Sequence, residues 1–272
     1  MIGRLTALGL LFFLAFAALR GEEAPSSSGG GVVSLSPALT ELAFYLGGGE
    51  QLVGRSSACD YPEEAEALPV MGDFALPDLE RILAASPRVV VSNDLVNPSV
   101  ARALESRGIA LELLSCRSGE EYCRMVERMG ELLGRTDAAQ VECARVREFL
   151  KETTAWTAIP GKVGIFVWTS PVILAGEGTF CQELLRLAGG TPLDFQGRSG
   201  FFTPGNEWLL GENPRVVLVF REPGSLPLQK ALEGLRGRMV RFPQEDLLLR
   251  PSPRWTEGVR MLREMLSGAN AP

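Results

Sequence analysis

Among the 272 residues there is not one histidine. That absence removes His-ligated zinc, a Ser-His-Asp triad and an imidazole general base together, because each depends on that ring. Positive charge is also scarce. Lys and Arg number 27 against 33 Asp and Glu, a net charge of −6, and no basic run offsets it. Such a chain is a poor partner for nucleic acid or an anionic membrane surface. No Cys-x-x-Cys pair occurs among the five cysteines Cys59, Cys116, Cys123, Cys143 and Cys181. The longest apolar run, Leu5–Leu19, is shorter than the roughly 20 residues a spanning helix needs.

That run follows Arg4 and reaches Ala15-Phe16-Ala17, a small-x-small site, so residues 1–17 read as a signal peptide and the chain as exported to the periplasm. Removing them takes away one charge, Arg4, and leaves −7. No cysteine near the end of the run marks a lipid anchor. Residues 18–31, rich in Ser and Gly, read as a flexible leader. An oxidising compartment permits disulfides, and the odd cysteine count leaves at least one thiol. Cys123 and Cys143 fall on apolar helix faces and read as buried free thiols. Cys59 and Cys116 each follow a predicted strand; if their loops meet at one sheet edge, they are the pair to bridge.

What is present is a repeat. Glu80-Arg-Ile-Leu83-Ala-Ala-Ser-Pro87-Arg88-Val89-Val90-Val91 matches Glu207-Trp-Leu-Leu210-Gly-Glu-Asn-Pro214-Arg215-Val216-Val217-Leu218. In each, a short amphipathic helix must stop before the proline, which lacks a backbone donor and restricts its neighbour. The β-branched run that follows has the character of a strand buried on both faces of a parallel sheet. A β-α-β alternation spans residues 32–114, with Ser36-Pro37 starting a helix after the first strand and Gly47-Gly48-Gly49 ending it. From Gly119 the pattern turns helical, breaks at residues 134–137, and resumes with Ala139, Cys143, Val146 and Leu150 on one stripe. Strands are expected over residues 162–168, 172–175 and 239–242. Helices are expected near residues 226–234 and 254–267, with residues 246–253 as a loop. Gly176-Glu177-Gly178-Thr179 is a partial dinucleotide fingerprint whose third glycine is replaced by Cys181; a ligand-facing turn fits it equally well.

The fold class expected is α/β, as two small lobes with mainly parallel sheets joined by one long helix. The lobes take residues 32–134 and 160–272, and the connecting helix residues 135–159.

Val33-Ser34-Leu35-Ser36-Pro37-Ala38-Leu39-Thr40-Glu41-Leu42, then Val53-Gly54 and Cys59-Asp60-Tyr61-Pro62, resembles the opening of the cobalamin-type periplasmic binding proteins. These are ABC-importer receptors with two lobes joined by one long helix, carrying cobalamin, haem or iron-siderophores. The resemblance continues through residues 79–83, Gly189-Gly190, the Glu207 unit and Ser252-Pro253-Arg254. It implies a monomeric receptor without chemistry of its own, which captures ligand between the lobes and hands it to a permease dimer in the inner membrane. It further implies that Glu80 and Glu207 pair with permease arginines, and that Phe74, Phe201, Asp246 and Arg250 meet the ligand. Ala58 and Ile173 stand where the family has aromatic rings, a departure that leaves corrinoid, haem and siderophore all open. Phe202 and Trp168 are candidates for further cleft wall, with the core as the alternative for both. Without histidine, no cofactor is expected and any metal arrives inside its chelator. An exported enzyme would have to use Ser36 or the carboxylates Asp60 and Asp73, but no base stands beside them in a recognisable motif. A sensory or adhesive domain of the same fold is the remaining alternative.

Overall fold

The structure is a computed structural model that describes residues 30–74, 76–93, 97–220, 230, 233–235 and 237–269. The expected signal peptide, nearly all of the expected leader and most of the helix expected near residues 226–234 lie outside the described residues.

Two sheets organise the chain. The first holds β1 (Val32–Ser34), β2 (Leu52–Arg55), β3 (Val89–Ser92) and β4 (Ala110–Leu113), all parallel, in the order β2-β1-β3-β4. Helices α1 (Pro37–Tyr45), α2 (Leu79–Ala84) and α3 (Pro98–Ser106) fall between these strands in sequence, and α4 (Gly119–Leu132) follows β4. The second sheet runs β10-β9-β5-β6-β8, from β5 (Lys162–Thr169), β6 (Val172–Ala175), β8 (Phe201–Phe202), β9 (Val216–Val219) and β10 (Arg238–Arg241), with β7 (Thr191–Pro192) paired to β5. Its β10, β9 and β5 are parallel, whereas β6 and β8 add on antiparallel. Helices α6 (Phe180–Leu187) and α7 (Asn206–Glu212) lie in this half. The expected loop at residues 246–253 contains a one-turn helix, α8 (Asp246–Leu249), and α9 (Trp255–Ala269) closes the chain.

The two repeat units fold alike. In each, the residue before the proline is left-handed, Ser86 at φ 46° and Asn213 at φ 45°. This residue turns the chain out of α2 or α7 before the strand begins. The strands that follow, β3 and β9, are buried along their whole length, as β-branched runs covered on both faces must be. Val89 and Val91 face one buried cluster and Val90 another, and likewise Val216 and Leu218 against Val217 and Val219. Alternation along a strand thus distributes each run between the two faces of its sheet.

Between the lobes runs α5 (Thr136–Thr154), about 28 Å long at 1.5 Å per residue. It lies against α4, and at that contact Gly130 is so close to Ala139 that a Cβ on the glycine would come within 2.5 Å of the alanine methyl. Ala139, Cys143, Val146 and Phe149 of α5 are buried in a cluster that continues from Val32 and Leu39 to Ile165 and Leu218. One apolar core therefore passes through the connector into both lobes. At its centre the fully buried Trp255 meets the rings of Tyr122, Phe149 and Phe180 edge-on, at centroid distances of 5.8, 5.4 and 5.9 Å.

A buried polar network reinforces this junction. Glu142 of α5, 1% exposed, accepts hydrogen bonds from Tyr45 Oη at 2.9 Å and Tyr122 Oη at 3.0 Å, and from Nε and Nη2 of Arg145 at 2.7 Å each. Arg145 in turn donates to Thr256 Oγ1 and to the carbonyl of Pro253, both at 2.9 Å. Burial, and then the Glu142 charge, push the Tyr122 hydroxyl well above its usual range, so it stays a donor.

The bridge expected between Cys59 and Cys116 does not form; both are free thiols. Cys59 follows β2 and Cys116 follows β4, and these are the opposite edges of the first sheet. Three strand spacings separate the edges, roughly 14 Å at about 4.8 Å each, and a disulfide needs Cα atoms within about 7 Å. Cys123 and Cys143 are buried and free as well, each Sγ directed at the other residue's carbonyl, 3.9 and 3.4 Å away.

Candidate functional site

A cavity of about 960 Å³ opens between the lobes. Its first-lobe wall is built from the carboxyl ends of the parallel strands: Ser36 after β1, Ala58 after β2, Asn93 after β3, and Leu113, Cys116 and Arg117 at the end of β4. Open parallel sheets present their loops and ligand sites at this end. Ser36 occupies the N-cap position of α1 with Pro37 at the first turn, as expected, but its hydroxyl does not cap the helix. It donates instead to Asn93 Oδ1, while Asn93 Nδ2 reaches the Leu114 carbonyl at 2.7 Å. The second-lobe wall comprises Glu177, Gly178 and Thr179, Gly200 and Phe201, and Leu249 and Arg250. The glycine turn at residues 176–179 thus faces the cavity. Gly178 has φ +74°, and a side chain at Gly176 would strike the carbonyls of Arg198 and Gly200 at 2.8 Å.

Of the residues nominated from sequence, Ala58, Phe74, Phe201 and Arg250 line the cavity. Phe74 (44% exposed) comes from the first lobe and Phe201 (60% exposed) from the second. Two large rings are thus left exposed across one cleft. The other four nominated residues do not line it. Phe202 is the neighbour of Phe201 on β8, so it points to the opposite face. There it meets Phe195 and Trp208, with ring centroids 6.4 and 5.7 Å away. Trp168 and Ile173 are partners across the β5–β6 pairing, and the Trp168 indole donates to the Ser170 carbonyl at 2.7 Å. Asp246 stands behind Arg250, its Oδ1 2.9 Å from Arg250 Nε.

Arg250 is held by carboxylates from both lobes at the cleft. Nη1 donates to Asp60 Oδ1 at 2.6 Å and Nη2 reaches Asp60 Oδ2 at 3.4 Å, so a first-lobe loop and a second-lobe arginine meet at the rim. Burial works against the guanidinium charge. The Asp60 hydrogen bond and the surrounding carboxylates more than offset it and hold Arg250 above its ordinary value. The same hydrogen bond holds the Asp60 carboxyl below the usual carboxylate range. A second bidentate pair joins the lobes next to it: Arg254 Nε and Nη2 bond to the buried Glu41 at 2.7 and 2.8 Å, and the guanidinium covers the Tyr61 ring at 3.8 Å. Burial pushes the Cys116 thiol up, so it stays protonated beside the cavity.

Glu80 and Glu207 are the second residues of α2 and α7, both exposed. Among the described residues neither carboxylate forms an ion pair.

The sequence profile of the periplasmic binding protein family matches residues 32–233. The chain belongs to the periplasmic binding protein family. A vitamin B12-binding protein of Salmonella choleraesuis is 26% identical over 246 residues, covering 88% of this chain and 91% of its own. An uncharacterised ABC transporter substrate-binding lipoprotein of Bacillus subtilis is 24% identical over 252 residues, covering 86% and 79%. Among solved structures, the periplasmic vitamin B12-binding protein of Vibrio cholerae superposes with a TM-score of 0.76 at 20% identity, over 89% of this chain and 98% of that one. A periplasmic haem-binding protein in complex with two haems gives a TM-score of 0.77 at 24% identity, over 89% and 100%. At these identities the structural likeness establishes the shared two-lobed fold.

Asn93, Leu113, Arg117 and Leu249 were not anticipated as lining residues. The signal for three of them was available, since Asn93, Leu113 and Arg117 lie at or just beyond the ends of β3 and β4. The pairing of Asp60 with Arg250 joins residues 190 apart in the chain, and no local pattern announces it.

Proposed function

We propose that this periplasmic binding protein is the exported receptor of an ABC importer, and that it captures a corrinoid, cobalamin or a close relative, in the cleft between its lobes. The observation that carries the reading is the chemistry of the cavity wall. At about 960 Å³ the cavity is at the upper end of small-molecule sites, which run from about 300 to 1,000 Å³, and so calls for a large ligand. Phe74 and Phe201 supply apolar faces for a flat ring, and Arg250 supplies donors at its edge. Haem iron is held by His, Cys, Met or Tyr side chains. The chain has no histidine, and among the described lining residues the only candidate ligand is Cys116, whose thiol burial keeps protonated. A corrinoid brings its own axial ligands and asks for none. The metal is thus cargo within its chelate, and the receptor needs no resident cofactor.

The protein acts as a monomer in the periplasm and hands its ligand to the permease. Glu80 and Glu207 dock through charge-assisted pairs with permease arginines; their exposure, one on each lobe and in corresponding turns of the two repeat units, supports this role. Nothing in the site favours catalysis over binding. The test is co-elution: mature protein mixed with cyanocobalamin is passed through a sizing column, and the corrin absorbance should travel with the protein. A Phe74→Ala/Phe201→Ala variant that carries as much corrin as the wild type would refute the role given to the two rings.

A further inference from the structure

Arg250 has five N–H donors. Asp60 takes one each from Nη1 and Nη2, and Asp246 Oδ1 forms an ion pair with Nε at 2.9 Å. A second N–H remains on each terminal nitrogen, on a guanidinium whose single positive charge faces two carboxylates. Among the described residues, the other charged side chains on the cavity wall, Arg117 and Glu177, are of opposite sign. The cleft therefore offers hydrogen-bond donors without a net positive charge. We propose that Asp60 is a specificity-determining residue: by setting a second carboxylate against Arg250, it lets the cleft accept ligands edged with amide carbonyls and reject ligands edged with carboxylates.

The inference rests on the receptor reading above and goes beyond it, since it explains which macrocycle is refused as well as which is held. An amide carbonyl takes one of the two spare N–H groups and leaves both carboxylates in place. A carboxylate in the same position brings a third negative charge to one guanidinium, and it must either bear the repulsion or displace Asp60. Discrimination by an opposing charge is the general means of refusing a wrong partner of the right shape. Asp60 suits the role because it is a loop residue with its side chain 55% exposed, whereas that of Arg250 is 19% exposed. Asp60 can thus be replaced at the rim without opening the core. A carboxylate that served only to clamp the lobes would change the affinity for every ligand by the same factor. A charge filter changes the ratio between ligands.

The experiment measures that ratio. Cyanocobalamin, edged with amides, haemin, edged with two propionates, and the dimethyl ester of haemin are titrated into wild type, Asp60→Asn and Asp60→Ala, with circular dichroism and melting curves to confirm folding. In both variants the affinity for haemin should rise at least tenfold relative to cyanocobalamin, and the ester should follow cyanocobalamin. Ratios that stay constant while the wild type binds cyanocobalamin would overturn the filter and leave the receptor reading intact. A wild type that binds no corrinoid would remove the receptor reading and this inference with it.

Discussion

Glu142 shows how much a single side chain carries here. It is buried in the connector, accepts four hydrogen bonds, and through Arg145 ties the first lobe to Pro253 and Thr256 of the second. Removing the carboxylate leaves the buried Tyr122 hydroxyl without its acceptor, at a cost of about 1–3 kcal/mol, while the partly exposed Arg145 keeps Thr256 and Pro253. Glu142→Ala should lower the urea midpoint by an amount corresponding to about 1–3 kcal/mol, with Glu142→Gln losing less because the amide oxygen still accepts. Asp60 gives a prediction in pH. Its folded carboxyl lies below the usual carboxylate range, so the contribution of its bridge is fully present above the unfolded pKa and is lost only as pH falls through the lower folded one. Carboxyl carbon NMR should show the Asp60 midpoint lower in the wild type than in Arg250→Ala; equal midpoints would remove the bridge as the cause. Legibility at this scale was uneven. Phe74 and Phe201 line the cleft. Phe202 stays open between wall and core in the sequence, because two adjacent phenylalanines carry no mark of which face each takes until the strand pairing is known.

Elements were read more reliably than single residues. The Pro-Arg-Val-Val units, the glycine stops and the helical stripe of residues 139–150 are local signals, and each reappears as an observed strand, turn or helix. The one-turn helix Asp246–Leu249 is too short to show any periodicity. The expected Cys59–Cys116 bridge failed on strand order, because sequence showed both cysteines following strands but not that those strands are opposite edges of the sheet. The repeat also gives the clearest prediction at this scale. Glu80→Arg or Glu207→Arg should each lower uptake by the reconstituted importer, and the double reversal should abolish it. Ligand affinity should remain unchanged throughout, since neither residue lines the cavity. Loss of affinity in either single variant would show that these helices serve the cleft and not the permease.

For the whole molecule, the determining feature is that the two lobes share a core. The cluster passing through α5 and around Trp255 does not divide at the lobe boundary, and the Arg254–Glu41 and Arg250–Asp60 pairs tie the lobes at the cleft. Large hinge motion would have to break apolar contacts and a buried ion pair together, so closure on ligand should be small and the cavity largely formed in advance; scattering curves that contract strongly on adding ligand would contradict this. Preformed sites lose little to ordering on binding. Calorimetric titration of the protein from Val32 onward with cyanocobalamin decides whether the cleft holds one corrinoid. One site per chain is expected, with a dissociation constant in the nanomolar to micromolar range, about −8 to −12 kcal/mol. No heat and no saturation with cyanocobalamin, alongside tight binding of haemin, would contradict it.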